Sequence, residues 1–242
     1  MGILHQARKF FWGVGLDITR YNAIESPLLR RKRLFEHFEI SKLIDVGATT
    51  GQFATEMRHD LGFKGEIHSF EPLSSAYSTL TQHAEKDSGW YSYNYALGDM
   101  PGVESINVSA NLQSSSMLAM LPAHLEAAPE SEYTGTETIQ IKTLDSVFDD
   151  IYSPGDKIYL KVDTQGYESK VIAGAANSLD RICTIQLELA LTPLYEDEAL
   201  FIDVLQAMQE KGFELASLET GYANEETGQL LQVDGIFHRE PV

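Results

Sequence analysis

Cysteine is nearly missing from this 242-residue chain: Cys183 is the only one, and it sits inside an apolar run. A single thiol excludes an internal disulfide and a multi-cysteine metal centre. Long apolar runs are missing too, since no stretch approaches the roughly 20 residues needed to span a bilayer. Near the N-terminus, Phe10-Phe11-Trp12 is too short for the apolar part of a secretion signal. The expected compartment is therefore reduced and cytoplasmic. Positive charge is scarce, with 18 Lys and Arg against 36 Asp and Glu, a formal net of −18. A polyanion would be repelled by that balance, so no nucleic-acid partner is expected. The Gly-x-Gly-x-x-Gly fingerprint of dinucleotide-binding folds is also absent, because Thr49 and Thr50 stand where glycine would be needed.

The little positive charge is unevenly placed. Residues 1–40 hold seven Lys or Arg against four acids, a net of +3, which leaves −21 for the rest. Such a stretch is either a solvated basic face or a contact for an anionic membrane surface or an acidic glycan precursor. Phe10, Phe11, Val14 and Ile18 recur at helix spacing, and Ser26-Pro27 reads as a cap with proline at the first helical position. Leu28, Leu29, Leu34, Phe35 and Phe38 are the expected buried side of that second helix. We read residues 1–39 as an N-terminal helical extension and 40–242 as one α/β domain. A hydrophobic content of 43% is ample for a packed core.

From Lys42 onward, apolar strands alternate with helices in the pattern that demands parallel pairing. Leu43-Ile44-Asp45-Val46-Gly47-Ala48-Thr49-Thr50-Gly51 is a strand running into a glycine turn and then a helix near 51–60. A turn of this kind lets the backbone approach a ligand and offers free N–H groups at a helix start. Ile67 to Glu71-Pro72 is a second strand that ends in an acid, placed where a ribose diol can be gripped. A third strand runs near 91–95. Lys157 to Asp163 is a further strand, followed by Thr164-Gln165-Gly166 and a helix expected over 167–179. Ile182 to Leu189 reads as a buried strand with Glu188 near its carboxyl end, and Phe213–Leu218 and Leu230–His238 as a closing antiparallel pair. Residues 100–142 break the alternation. Two period-two strands, near 103–108 and 138–141, flank a long polar segment, read either as an insertion shaping an acceptor pocket or as a disordered spacer.

Taken together, these stretches resemble the FkbM-type family of S-adenosylmethionine-dependent methyltransferases. The resemblance is carried by Asp45-Val46-Gly47-Ala48 through Gly51, Phe70-Glu71-Pro72, Asn94 through Asp99, Thr143-Leu144-Asp145, and Lys161-Val162-Asp163 through Gly166 and Glu168. It implies a Rossmann-like class I methyltransferase fold: a mostly parallel seven-stranded sheet with a C-terminal antiparallel hairpin. It also implies S-adenosylmethionine held by Asp45, Gly47, Ala48, Thr49, Gly51, Glu71, Pro72, Asn94, Ala96, Leu97 and Asp163, and a hydroxyl acceptor on a sugar, glycan or related natural product. The family usually has Asn at the position of Thr49 and often Glu at that of Gln165.

A sulfonium donor is already activated, so the protein's tasks are to align the acceptor and remove its proton. Asp163 is the first candidate for that base and Glu188 the second. His124, in the long segment, is a third, because an imidazole titrates near neutrality. Asp163 and Glu188 together would also suit a divalent cation, but no third ligand is evident from spacing, so a metal is not expected. Glu168 at a helix start is either a helix-end charge or a catalytic one. Lys161 shares a strand face with Asp163 and is expected to pair with a carboxylate. An NAD-dependent oxidoreductase and a non-catalytic binding module on the same fold are the competing readings.

Overall fold

The structure is a computed structural model that describes residues 3–240. The chain divides into two units, with the boundary between Glu39 and Ile40. In the first, α1 (Ile3–Trp12) and α2 (Pro27–His37) are joined by a loop. Helix α1 stops earlier than the apolar spacing predicts. Gly15 takes φ +76°, the Leu16 N–H reaches back to the Phe11 carbonyl at 3.0 Å, and Gly15 N bonds Trp12 O at 3.1 Å. That is the left-handed glycine stop of a helix, and it places Val14 and Ile18 outside the helix. Helix α2 starts as expected: the Ser26 hydroxyl accepts from Leu29 N at 3.3 Å and Pro27 occupies the first position.

The second unit runs β1 (Lys42–Val46), α3 (Gln52–Glu56), β2 (Glu66–Phe70), α4 (Ser74–Ala84), β3 (Trp90–Tyr93), β4 (Ala96–Leu97) and β5 (Gly102–Ser109). It continues through α5 (Pro122–Ala127), β6 (Tyr133–Lys142), α6 (Leu144–Ile151), β7 (Ile158–Val162), α7 (Glu168–Ala173), β8 (Thr184–Ala190), α8 (Phe201–Glu210), β9 (Glu214–Thr220) and β10 (Gln232–His238). Seven strands form one sheet in the order β3-β2-β1-β7-β8-β10-β9. The first five lie parallel, and β10 pairs antiparallel with both β8 and β9. This is the expected mostly parallel sheet with a closing antiparallel hairpin. Every residue of β1 and β7 is buried, as parallel strands covered on both faces require.

Three local differences have physical causes. Ala96 and Leu97 do not prolong β3; they leave the main sheet and pair in parallel with Ile141 and Lys142, in a second sheet of order β4-β6-β5. Helix α7 ends at Ala173 rather than Leu179. Gly174 lies so close to Gly98 that a Cβ there would fall 1.9 Å from the Gly98 carbonyl oxygen, and the chain turns away. Residues 110–132, between β5 and β6, are tied down rather than loose. The Asn111 amide donates to the hydroxyls of Ser114 and Ser131, Ser109 donates to Asn111 Oδ1 at 2.8 Å, and Leu121 N bonds Leu194 O at 2.8 Å. The spacer reading of this segment is therefore corrected.

Candidate active site

Strand order decides where a crevice opens. The chain runs from β1 outward to β2 and β3, then returns to place β7 on the other side of β1. In open α/β sheets, ligands bind at the carboxyl ends of strands that flank such a reversal. The two glycine turns lie there side by side, one after β1 and one after β7.

The first turn is set by contact between the strands. Gly47 takes φ +78°, and a Cβ at this position would lie 1.8 Å from the Asp163 carbonyl oxygen. No side chain fits. Thr49 is held at φ +50° and Gly51 at +89°, both in the left-handed region that costs most residues energy. The backbone N–H groups of Gly47 and Ala48 both bond Phe70 O, at 3.1 and 3.0 Å. Thr49 N bonds Glu71 Oε2 at 2.8 Å, Thr50 N bonds Gln52 Oε1 at 3.2 Å, and Gly51 N bonds Ala48 O at 2.8 Å. The expectation of free N–H donors in this turn is thus corrected: two backbone carbonyls, the Glu71 carboxyl and the Gln52 carboxamide satisfy all five. Glu71 is the keystone, its other oxygen accepting from Leu73 N at 2.8 Å, and burial pushes its carboxyl up to about 7. Asn94 is exposed, and its amide ties down the Glu71 and Pro72 carbonyls at 3.0 and 2.9 Å. Ala96 and Leu97 lie in apolar cores, and Ala48 is buried.

The second turn repeats the pattern with different wiring. Gln165 and Gly166 take φ +57° and +93°. Glu168 accepts from Thr164 N at 2.7 Å, Thr164 Oγ1 at 3.2 Å and Gly166 N at 3.3 Å, all on Oε1, and burial pushes this carboxyl up to about 7 as well. Gln165 is the hub. Its Nε2 donates to Asp163 Oδ1 and to Glu188 Oε2, each at 2.9 Å. Its Oε1 accepts from the Tyr195 hydroxyl at 2.7 Å, and its backbone carbonyl accepts from the Ser116 hydroxyl at 2.7 Å. Burial, reinforced by the nearby Asp163 charge, drives the Glu188 carboxyl well above its ordinary value.

Lys161 joins the two turns from below. It lies directly across from Asp45 in the β1–β7 register, and its ammonium sits 3.1 Å from Asp45, 3.5 Å from Asp163 and 3.3 Å from the Gly47 carbonyl. Burial alone would discourage charge on either partner. It pushes Asp45 up, whereas Lys161 is held above its usual value because Asp45 and Asp163 outweigh its own burial. The expected pairing of Lys161 with a carboxylate is what the side chains show.

His124 is placed elsewhere. Its ring is 3% exposed and packs edge-on against Tyr195 at 5.1 Å and tilted against Tyr222 at 5.8 Å, with burial lowering its basicity. A base must reach the proton it removes, and the His124 ring meets Tyr195, whose hydroxyl in turn donates to Gln165 Oε1 at 2.7 Å. His124 is thus buried among aromatic rings beside the cluster. Gln165 entered the sequence reading only as a departure from a pattern, while Tyr195 and Ser116 left no signal. Among the described residues, no group of three or more His, Cys, Asp or Glu is arranged to hold a metal ion.

The sequence model of the Methyltransferase FkbM domain matches residues 45–215, most of the chain and both turns. The chain belongs to the FkbM methyltransferase family. No curated protein sequence matches this FkbM chain. Among solved structures, TehB from Haemophilus influenzae aligns at 11% identity and a TM-score of 0.46, over 86% of this chain and 60% of that one. Magnesium protoporphyrin IX methyltransferase (ChlM) from Synechocystis PCC 6803 with bound SAM aligns at 8% identity and 0.44, over 99% and 98%. M. capricolum TrmK in complex with S-adenosyl-homocysteine aligns at 7% and 0.46, over 90% and 70%. Likeness at this level says nothing about substrate.

Proposed function

We propose that this FkbM methyltransferase moves a methyl group from S-adenosylmethionine to a hydroxyl oxygen on a sugar, glycan or related natural product. The observation that carries the reading is Gln165 holding two acids of unequal environment. Asp163 keeps a side chain 36% exposed at the crevice, while Glu188 is pushed well above its ordinary value. The donor fits the chemistry of the site, since a sulfonium and an ammonium are cations and the strand ends here are lined with acids. When bound, S-adenosylmethionine supplies an electrophilic methyl. The chain's part is to hold the acceptor hydroxyl in line and take its proton on Asp163, with Gln165 fixing the carboxylate's orientation. Glu71 is proposed to hold the ribose through the lone pairs that Thr49 and Leu73 leave open. A net charge of −18 favours a neutral acceptor over a nucleic acid.

Three experiments test this. Thermal shifts should show stabilisation by S-adenosylmethionine and S-adenosylhomocysteine; selective stabilisation by NAD would overturn the reading in favour of an oxidoreductase. Mass spectrometry of glycan and natural-product pools incubated with methyl-labelled donor should place the label on oxygen. Asp163→Asn should keep donor affinity and lose at least about 100-fold in turnover; wild-type turnover would remove Asp163 from the role.

A further inference from the structure

Fourteen large apolar side chains stand exposed among the described residues, and they are not scattered evenly. Seven lie between Phe10 and Ile24, a span of 15 residues, and the other seven are spread singly from Tyr91 to Leu218. Single exposed apolar residues need no explanation, but seven within one short segment concentrate apolar surface as an interaction site does. The group includes Phe10 at 74%, Tyr21 at 68% and Ile24 at 86%, with Trp12, Val14 and Leu16 each at least half exposed.

The display is built. Besides the glycine stop at Gly15, the Arg8 guanidinium forks onto Asp17 at 2.9 and 2.6 Å, and the Trp12 indole N–H donates to the same carboxylate at 2.9 Å. This pairing holds Asp17 well down, to about 2, chiefly through the hydrogen bond from Arg8. The loop that carries Val14 and Leu16 is thereby pinned to the end of α1.

Charge names the occupant. Residues 1–40 carry a net of +3 and the rest −21, so an anionic surface attracts this stretch and repels the remainder. Aromatic and aliphatic side chains beside Lys and Arg, with no helix long and apolar enough to cross a membrane, are what an element lying in the headgroup layer requires. We propose that residues 5–24 insert into the surface of an anionic lipid bilayer and tether the methyltransferase there. Nothing in this proposal depends on the methyl acceptor.

The test is flotation of the full chain with vesicles of phosphatidylcholine alone or mixed with phosphatidylglycerol. Binding is expected only to the mixed vesicles, and it should weaken as salt is raised. Trp12 is one of two tryptophans, and the other, Trp90, is buried. Fluorescence should therefore shift to the blue on binding, and Trp12→Phe should abolish the shift while leaving flotation largely intact. Phe10→Ser with Leu16→Ser, both exposed, should lower binding about 10-fold or more with an unchanged thermal midpoint. Lys9→Glu should lower it several-fold. Failure to float with anionic vesicles overturns the proposal. So does equal binding of the double variant, or a lipid-free dimer by light scattering that the double variant dissolves, which would make this face a contact between copies.

Discussion

The two glycine turns at the crevice are built on one plan and differ in how much of the chain holds them. Each leaves a buried parallel strand, forces one non-glycine residue into the left-handed region (Thr49 or Gln165), and hands at least one N–H to a buried glutamate, Glu71 or Glu168. The first turn is braced almost wholly by its neighbours β2 and β7. The second is braced from a distance, because Ser116 and Tyr195 come from segments far away in sequence and converge on Gln165. The long 110–132 segment meets the second turn twice, through the Ser116 hydroxyl on Gln165 and Leu118 beside Gly166.

If that contrast is right, the first turn should tolerate least. Gly47→Ala drives a Cβ into the Asp163 backbone oxygen at 1.8 Å, which no side-chain motion relieves. We expect a loss above about 4 kcal/mol by urea denaturation, enough to unfold a marginal domain. Gly166→Ala meets side chains instead, Leu118 and Tyr195 at 3.0 and 3.2 Å, and should cost about 1–3 kcal/mol, mostly for its φ of +93°. Equal losses would erase the distinction between the turns. Lys161→Met comes next, at about 3–5 kcal/mol, because it strands the wholly buried Asp45 without a counter-charge. Adding Asp45→Asn should recover part of that loss; an additive double variant would mean the pair does not interact.

The same contrast explains what could be read in advance. Strand alternation, the closing hairpin and both glycine turns follow from local patterning, and Gly47, Glu71 and Asp163 each directly follow the last residue of their strand. Lys161's need for a partner follows from one charge in an apolar strand. What was illegible lies at long range. Tyr195 reaches Gln165 across 30 residues and Ser116 across 49, and nothing in either local sequence marks it. The burial of His124 is illegible for the same reason: a titratable residue in a polar segment reads as accessible, yet the fold closes Tyr195 and Tyr222 over it. Val14 and Ile18 keep helical spacing across glycines that end the helix.

Gln165→Glu probes the second turn. It replaces the one donor shared by Asp163 and Glu188 with a third acid, so the cluster must take up a proton or a cation. We expect turnover to fall about 10-fold or more at neutral pH and the acidic limb of its pH profile to move upward, while donor affinity holds. Gln165→Asn, which keeps an amide, should retain the profile's position at lower turnover. An unchanged profile in the Glu variant would show that Gln165 does not set the state of the two acids.

The finest test separates the two buried glutamates. Both carboxyls sit at about 7, above the value near 4.3 they take in an unfolded chain. The native state therefore keeps protons that the unfolded state has lost, and stability should fall as pH rises from about 4.5 to 7, by up to about 1.4 kcal/mol per unit for each group. Glu168 uses one oxygen for all three of its bonds, so Gln can keep them. Glu168→Gln should flatten the slope by one group and leave the protein at least as stable at pH 8. Glu71 uses both oxygens, one for Thr49 and one for Leu73, and Gln must turn an N–H₂ towards one of those donors. Glu71→Gln should flatten the slope equally yet lose about 1–3 kcal/mol at every pH. Matching stability curves for the two variants would mean that the turns are held alike.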